Sequence, residues 1–130
     1  MDEIDASILV ILKANARTKY VKIAEAVGLT EGAVRRRMRE LIRQGVIRKF
    51  TIETSVELEG LVLVRTEPTH TAKAATEIRR IAERVFETSG DYDIAALIQS
   101  QTMAELNQKI DEIRKLPDVL TTNTLVKLNE

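Results

Sequence analysis

Five arginines lie between residues 31 and 47, in the stretch EGAVRRRMRELIRQGVI, and four of them fall within positions 35 to 39. A guanidinium forms paired hydrogen bonds with a phosphate, or with O6 and N7 of a guanine, so such a cluster can bind a polyanion. The same residues also occur on helix faces that contact only water. The choice between these interpretations depends on the element that carries the arginines.

An apolar stripe predicts that this element is a helix that begins after the N-cap Thr30 and ends at Gly45. The stripe follows the spacing i, i+4, i+7, i+8 and consists of Val34, Met38, Leu41 and Ile42. At 100° per residue, Arg36 and Arg43 lie almost opposite this stripe, and Arg39 shares the outer face with Gly32. Arg35 and Arg37 flank that face on either side.

The outer face of this helix is therefore cationic along its length, and Glu40 is the only acid near it. A helix that contacts only water more often interleaves acids with its arginines. Gly32 and Ala33 are small residues at the N-terminus, where a DNA-recognition helix approaches base edges. We therefore predict DNA binding. Arg36 is the expected base-reading residue, Arg39 and Arg43 are expected to bind phosphates, and Arg37 has the alternative of pairing within the protein.

Two shorter patterns precede this helix. Residues 2 to 14 carry apolar residues at helical spacing, and a second helix is expected near Tyr20 to Val27, followed by Gly28 in a left-handed cap. Three helices with a tight glycine turn between the last two are typical of a helix-turn-helix domain. Residues 46 to 53 are β-prone and predict a strand with two further cations. The predicted DNA-binding residues are Thr30, Glu31, Gly32, Ala33, Arg35, Arg36, Arg39, Arg43, Arg48 and Lys49.

The second half of the chain predicts two copies of one strand-and-helix unit. Strands are expected at 61–66, 84–89, 94–100 and 119–128, with one helix starting near Thr69 or Thr71. A second helix follows the capping box at Thr102 and buries Met103, Leu106, Ile110 and Ile113. The order βαββαβ is that of a ferredoxin-like sandwich. Apolar residues occupy both faces of several strands, so we expect at least a dimer.

Composition restricts the class of protein further. Residues 1 to 50 carry 11 basic and 6 acidic residues, a net charge of +5, whereas residues 51 to 130 have a net charge of −5. This asymmetry suggests a polyanion partner for the first half, although chance in a charged protein also produces it. The chain has no cysteine and no apolar run of membrane-spanning length, and it begins with acidic residues, so we expect a cytoplasmic protein. The single histidine, His70, is expected at the surface, and we predict no catalytic residue, metal site or cofactor.

The whole chain resembles the Lrp/AsnC, or feast/famine, family of transcriptional regulators. The N-terminal likeness lies in DEIDASILVIL and IAEAVGLTEGAVRRRMRELIRQGVIRKF. The C-terminal likeness lies in SGDYDIAALIQS, the helix that follows, LPDV and TLVKL. The resemblance implies a plain or winged helix-turn-helix, a hinge strand and a βαββαβ domain for amino-acid effectors and oligomerisation. It also implies dimers formed through the sheets, tetramers or octamers, and effector binding near the loop between the second and third strands.

That loop contains Gly90, Asp91, Tyr92 and Asp93, and it has two interpretations. It is a β-turn in which Tyr92 packs, or it is an effector pocket whose amides face a ligand carboxylate while an aspartate faces the ligand amine. Mainly on the resemblance, we predict ligand contact here, with Gln101 and Thr102 as weaker candidates for the same pocket.

The predicted α+β architecture has a DNA-binding domain at 1–50, a hinge at 51–60 and an effector and oligomerisation domain at 61–130. The expected function is sequence-specific regulation of transcription on double-stranded DNA, tuned by an amino-acid-type ligand that alters the oligomeric state. The alternative is a ligand-independent DNA-organising protein of the same fold. An enzyme or metabolite-binding protein built on the second half is disfavoured by the arginines of the first.

Overall fold

The computed structural model describes residues 1–130 and divides them into two compact units, Met1–Glu53 and Thr54–Glu130. The first unit contains α1 (Glu3–Ala14), α2 (Tyr20–Val27) and α3 (Glu31–Arg43). The second contains β1 (Leu58–Thr66), α4 (Thr71–Ile78), β2 (Arg84–Glu87), β3 (Ile94–Ser100), α5 (Met103–Arg114) and β4 (Val119–Val126). No helix combines the length and the apolar character needed to cross a membrane.

The three N-terminal helices share one small aliphatic core. Its fully buried members come from all three helices and are Ile8, Ile23, Ala24, Val34 and Met38. Leu41 of α3 is also buried, as predicted. Ile42 is not: its side chain is 48% exposed, because it lies at the margin of the α3 stripe in the last turn of the helix.

The turn between α2 and α3 has the predicted geometry. Gly28 adopts φ 73°, a left-handed conformation that favours glycine, and the N–H of Leu29 donates to the carbonyl oxygen of Ala24. Thr30 then caps α3, since its Oγ1 accepts a hydrogen bond from the N–H of Ala33 at 3.1 Å. The helix-turn-helix prediction is confirmed.

The strand predicted at residues 46 to 53 is not present. After Gly45 the N–H groups of Val46 and Ile47 donate back to the carbonyl oxygen of Leu41, and no regular element follows before β1. The reason is that a strand needs a neighbouring strand for its backbone hydrogen bonds, and the first unit contains none. The predicted hinge is also too long at its C-terminal end, because β1 already begins at Leu58.

The second unit has the predicted βαββαβ order. Its sheet is antiparallel throughout, with strand order β2-β3-β1-β4. One face is buried in a core that includes Val62, Val64, Ile94, Ala96 and Ile98 of the strands and Ile78, Leu106 and Ile113 of the two helices. These side chains alternate along β1 and β3, which is the period of a strand buried on one side.

Some predicted boundaries and burials in this unit were wrong. Helix α4 begins at Thr71, one of the two predicted starts, and β2 and β4 end two residues earlier than predicted. Met103, which was expected in the core, is 46% exposed because it is the first residue of α5, at the margin of the helix–sheet contact.

The other face of the sheet carries neither α4 nor α5 and is apolar at its centre. Leu61 pairs with Leu97 of β3 and with Leu125 of β4, and Phe86 lies opposite Ala95 on β2 and β3. Leu61, Leu125 and Phe86 are each about half exposed. The expectation that β1 carries aliphatic residues on both faces is confirmed, and we call this surface the open sheet face.

Candidate nucleic-acid interface and effector loop

Helix α3 presents two arginines that have no acidic partner. Arg36 and Arg39 are exposed, and the salt bridges of this unit use other residues. Because neither guanidinium is neutralised within the protein, both are available to an external anion. They lie on the outer face of the helix, as predicted.

Arg35 and Arg43 each pair with an acid on the same helix. Arg35 Nη2 lies 2.8 Å from Glu31 Oε1, and its guanidinium stacks 5.0 Å above the ring of Tyr20. The hydrogen bonds that Arg43 and then Gln44 donate to Glu40 lower the pKa of Glu40 to about 2. The helix therefore interleaves acids with arginines more than expected. Exposed pairs of this kind are weak, so exchanging the acid for a phosphate costs little.

Arg37 differs from the other α3 arginines because it pairs with acids of another helix. Its Nη1 lies 2.7 Å from Asp2 Oδ2 and 3.1 Å from Asp5 Oδ1, both at the start of α1. Hydrogen bonding to Asp2 and then to Asp5 raises the pKa of Arg37 above its ordinary value. The prediction that Arg37 pairs within the protein is confirmed, although the sequence did not indicate its partners.

The N-terminus of α3 is open to a close approach. Gly32 is exposed, and a Cβ placed on it would meet no atom within 4 Å. Ala33 is half-buried and lines a shallow groove with Leu29, Arg36 and Glu40. Arg48 and Lys49 follow in the irregular segment, both exposed and without an ion pair.

The predicted effector loop joins β2 to β3 and is closed by its own hydrogen bonds. Thr88 Oγ1 donates to the carbonyl oxygen of Tyr92 at 2.7 Å. The N–H of Thr88 donates to the carbonyl oxygen of Asp93 at 2.9 Å. Gly90 adopts φ 111°, which side-chain-bearing residues rarely adopt. The chain reverses direction here as predicted, through a loop closed between Thr88 and Asp93.

The two aspartates of this loop differ in what they contact. Asp93 Oδ2 accepts a hydrogen bond from the N–H of Thr66 at 2.9 Å, and the Asp93 N–H donates to the carbonyl oxygen of Val64. Asp91 is exposed and pairs with no other residue. Asp91 is therefore the freer carboxylate, whereas Asp93 already holds β1.

Tyr92 brings two residues to the loop that the sequence did not indicate. The guanidinium of Arg65 lies 5.2 Å from the centre of the Tyr92 ring, and Asn123 Nδ2 lies 3.4 Å from its hydroxyl oxygen. Arg65 and Asn123 stand on β1 and β4, so only the strand register places them here. Period-two alternation could have assigned Arg65 to the open sheet face, but not to this neighbour.

Gln101 and Thr102 lie away from this loop. They follow the C-terminal end of β3, whereas the loop precedes its N-terminal end, and seven strand residues span roughly 20 Å. Thr102 Oγ1 accepts from the N–H of Glu105 at 3.2 Å, which is the predicted capping role. The structure does not bring these two residues into one pocket with residues 90 to 93 of the same chain.

The remaining charged groups do not assemble a metal centre. No group of three or more His, Asp or Glu residues is arranged to hold a metal ion. His70 is half exposed, and its Nδ1 lies 2.8 Å from Oδ1 of the buried Asp118, a contact between the start of α4 and the start of β4.

Residues 1–42 match the model of the AsnC-type helix-turn-helix domain, and residues 59–130 match that of the Lrp/AsnC ligand binding domain. The HTH-type transcriptional regulator LysM of Sulfurisphaera tokodaii is 42% identical, with 98% of this chain and 95% of LysM covered. The regulator FL11 of Pyrococcus abyssi is 33% identical, with 98% of this chain and 89% of FL11 covered.

Solved structures share the fold. The leucine response regulatory protein LrpA of Mycobacterium tuberculosis aligns with a TM-score of 0.80 at 22% identity, covering 100% of this chain and 94% of LrpA. A transcriptional regulator of Neisseria meningitidis, solved as a complex with L-Met, aligns with a TM-score of 0.73 at 21% identity, covering 100% of this chain and 91% of the regulator.

Proposed function

Because the chain belongs to the Lrp/AsnC family of transcriptional regulators, we propose that it binds double-stranded DNA sequence-specifically through α3 and responds to an amino-acid-type ligand. Such regulators are not enzymes, and the chain is not one. The observation that carries the proposal is the pair Arg36 and Arg39, exposed on one face of α3 without an acidic partner.

The α3 arginines other than Arg37 divide into one base reader and several phosphate ligands. Arg36 is nearer the N-terminus of the helix and lines the same groove as Ala33, so its guanidinium can fork to a guanine. Arg39 and Arg43, and the cations Arg48 and Lys49, neutralise phosphates, since most protein–DNA hydrogen bonds position the protein rather than specify sequence. Arg35, whose guanidinium lies over the Tyr20 ring, is proposed to contact the DNA backbone.

The open sheet face supports self-association. Leu61, Leu97 and Leu125 lie side by side across three strands, and burying them against a second copy removes apolar surface from water. A two-fold dimer presents two α3 helices to a pseudo-palindromic site with half-sites about one helical turn, or a multiple, apart. Such dimers are proposed to associate further into tetramers or octamers.

The effector is proposed to bind at residues 90 to 93. The N–H groups of Gly90, Asp91 and Tyr92 donate to no other group of the protein and suit a carboxylate, and Asp91 suits an ammonium group. The L-Met complex of the Neisseria regulator, which shares the fold, supports an amino acid as the ligand class. A ligand that prefers one assembly shifts the oligomer populations, and DNA affinity changes with them. Gln101 and Thr102 belong to this proposal only if a second copy brings them to the loop.

Selection from a random-sequence duplex library tests the DNA-binding proposal. We expect a pseudo-two-fold motif and an affinity that falls steeply with salt, because counterions are released from the phosphates. Arg36→Ala should lose the motif's preferred base at one position in each half-site. Binding without any enriched motif would instead favour the DNA-organising alternative, and no binding at all would reject the role of α3.

A thermal-shift screen of the twenty amino acids, with and without the selected duplex, tests the effector. A genuine effector raises the unfolding temperature by mass action and changes the sedimentation coefficient or the DNA affinity. No response to any amino acid in any of these measurements would contradict this part of the proposal.

A further inference from the structure

Arg37 is the α3 arginine that forms ion pairs with residues outside that helix. Its Nη1 lies within hydrogen-bonding distance of three carboxylate oxygens, at 2.9 Å and 2.7 Å from the two oxygens of Asp2 and at 3.1 Å from Asp5 Oδ1. The partners are 35 and 32 positions away in the chain. The Arg37 side chain is 30% exposed, less than that of Arg35 or Arg43.

We propose that Arg37 is a positioning residue: it anchors α3 to the N-terminus of α1 and sets the orientation in which Arg36 meets DNA, without binding DNA itself. This inference rests on the proposed function of α3. Arg37 is the neighbour of Arg36 in the chain, and both line the groove beside Ala33. A change in how Arg37 is held is therefore transmitted directly to the proposed base reader.

The two aspartates are themselves held in place by a capping box. Asp2 Oδ1 accepts from the N–H of Asp5 at 2.9 Å, and Asp5 Oδ2 accepts from the N–H of Asp2 at 3.2 Å. The capping box thus fixes both carboxylates to the backbone at the start of α1. Ile8 of α1 and Met38 of α3 belong to the same buried core, so the two helices also share apolar packing.

The expected effect of Asp2→Asn on DNA affinity is opposite in sign to that of a simple loss of negative charge. Removing a negative charge from a DNA-binding surface ordinarily strengthens DNA binding, because repulsion from the phosphates is reduced. If Asp2 acts only through such repulsion, Asp2→Asn tightens binding. If Asp2 positions Arg37 and α3, the same substitution weakens specific binding. Asparagine caps a helix as well as aspartate, so this variant keeps the cap of α1 and changes the ion pair.

The experiment compares Asp2→Asn, Arg37→Gln and their double variant with the wild type on the selected duplex. Dissociation constants are measured at several salt concentrations, at a temperature where circular dichroism shows every protein fully folded. Glu3→Gln is the matched control, because Glu3 is exposed in the same first turn of α1 and makes no ion pair. Asp5→Asn provides a second route to the same contact if Asp2→Asn fails to fold.

We expect Asp2→Asn and Arg37→Gln each to weaken specific binding by about three- to tenfold, the size of effect typical of coupled neighbours. The double variant should bind no worse than the weaker-binding single variant, and the salt slope should stay as in the wild type. Arg37→Lys should recover only part of the affinity, since an ammonium group lacks the planar fork. Binding to non-specific DNA should change less than binding to the selected site.

Two results would overturn the inference. Unchanged or tighter binding by Asp2→Asn shows that the contact does not orient α3. A salt slope that falls by about 1 in Arg37→Gln shows that Arg37 binds a phosphate directly. Failure of the proposed function looks different, because the wild type itself then selects no site and Arg36→Ala has no effect.

Discussion

The carboxylate of Asp93 accepts a hydrogen bond from the backbone N–H of Thr66, with 2.9 Å between Oδ2 and N. The β1–β3 ladder ends at the pair of Val64 and Ile94, two residues before Thr66. The Thr66 N–H therefore lies beyond this ladder, and the Asp93 side chain supplies its acceptor. One residue of the proposed effector loop therefore also maintains the sheet.

Asp93→Ala should lower the free energy of unfolding by about 1–3 kcal/mol, because it leaves the N–H of the buried Thr66 unpaired. Urea unfolding followed by circular dichroism measures the difference. Asp91→Ala is the control, since Asp91 is exposed and unpaired, and it should change stability little. Equal stability of the two variants would contradict the structural role of Asp93.

Asp91→Ala should abolish the thermal shift produced by the effector while leaving DNA binding without effector unchanged. Asp91 is the free carboxylate of the loop and the proposed partner of the ligand ammonium group. Glu87→Ala removes the same charge from the adjacent strand and should keep the response. A response that survives Asp91→Ala would place the ammonium site at another residue.

Arg36→Ala should reduce discrimination at one base position by roughly 1–3 kcal/mol, as expected for loss of a bidentate guanine contact. Arg39→Ala should instead weaken all duplexes similarly and lower the salt slope by about 1. Titrations of the selected duplex and of single-base variants separate the two effects. Identical profiles for Arg36→Ala and Arg39→Ala would remove the distinction between base reader and phosphate ligand.

Glu40→Gln should make stability less sensitive to acid. Hydrogen bonds from Arg43 and then Gln44 hold the pKa of Glu40 at about 2 in the folded protein, against 4.5 ordinarily. A depressed pKa contributes stability that is complete above pH 4.5 and is lost as the pH falls towards 2. The free energy of unfolding across this range should fall slightly more steeply for the wild type than for Glu40→Gln, because solvent screens this exposed pair. Glu3→Gln is the unpaired control.

Leu61→Lys should shift the protein towards monomers, because it places a charge at the centre of the open sheet face. Sedimentation velocity at micromolar concentration measures the assembly. Met103→Lys is the matched control: Met103 has similar exposure but lies at the start of α5. Loss of assembly in both variants, or in neither, would argue against dimerisation through this face.

The helices and caps near the proposed DNA contact could be predicted from local patterns in the sequence. The stripe Val34, Met38 and Leu41 and the caps at Thr30 and Gly28 depend on residues a few positions apart, and helical geometry converts that spacing into one buried face. The βαββαβ order was likewise predictable, since alternation along β1 and β3 and the capping box at Thr102 are short-range signals. The ends of these helices and strands were predicted less accurately, because fraying and turns depend on what packs nearby.

Contacts between distant parts of the chain were not available from such patterns. Arg37 meets Asp2 across 35 positions, and Asp93 meets Thr66 across 27, so neither pair produces a periodic signal. The β-prone segment 46–53 has suitable residues for a strand but no neighbour in its own unit to supply hydrogen bonds. Gln101 was a weaker candidate for the pocket at residues 90 to 93, and the length of β3 separates it from that loop. Pairing, register and burial depend on the whole packed unit, and it is these that distinguish a free arginine from an anchored one.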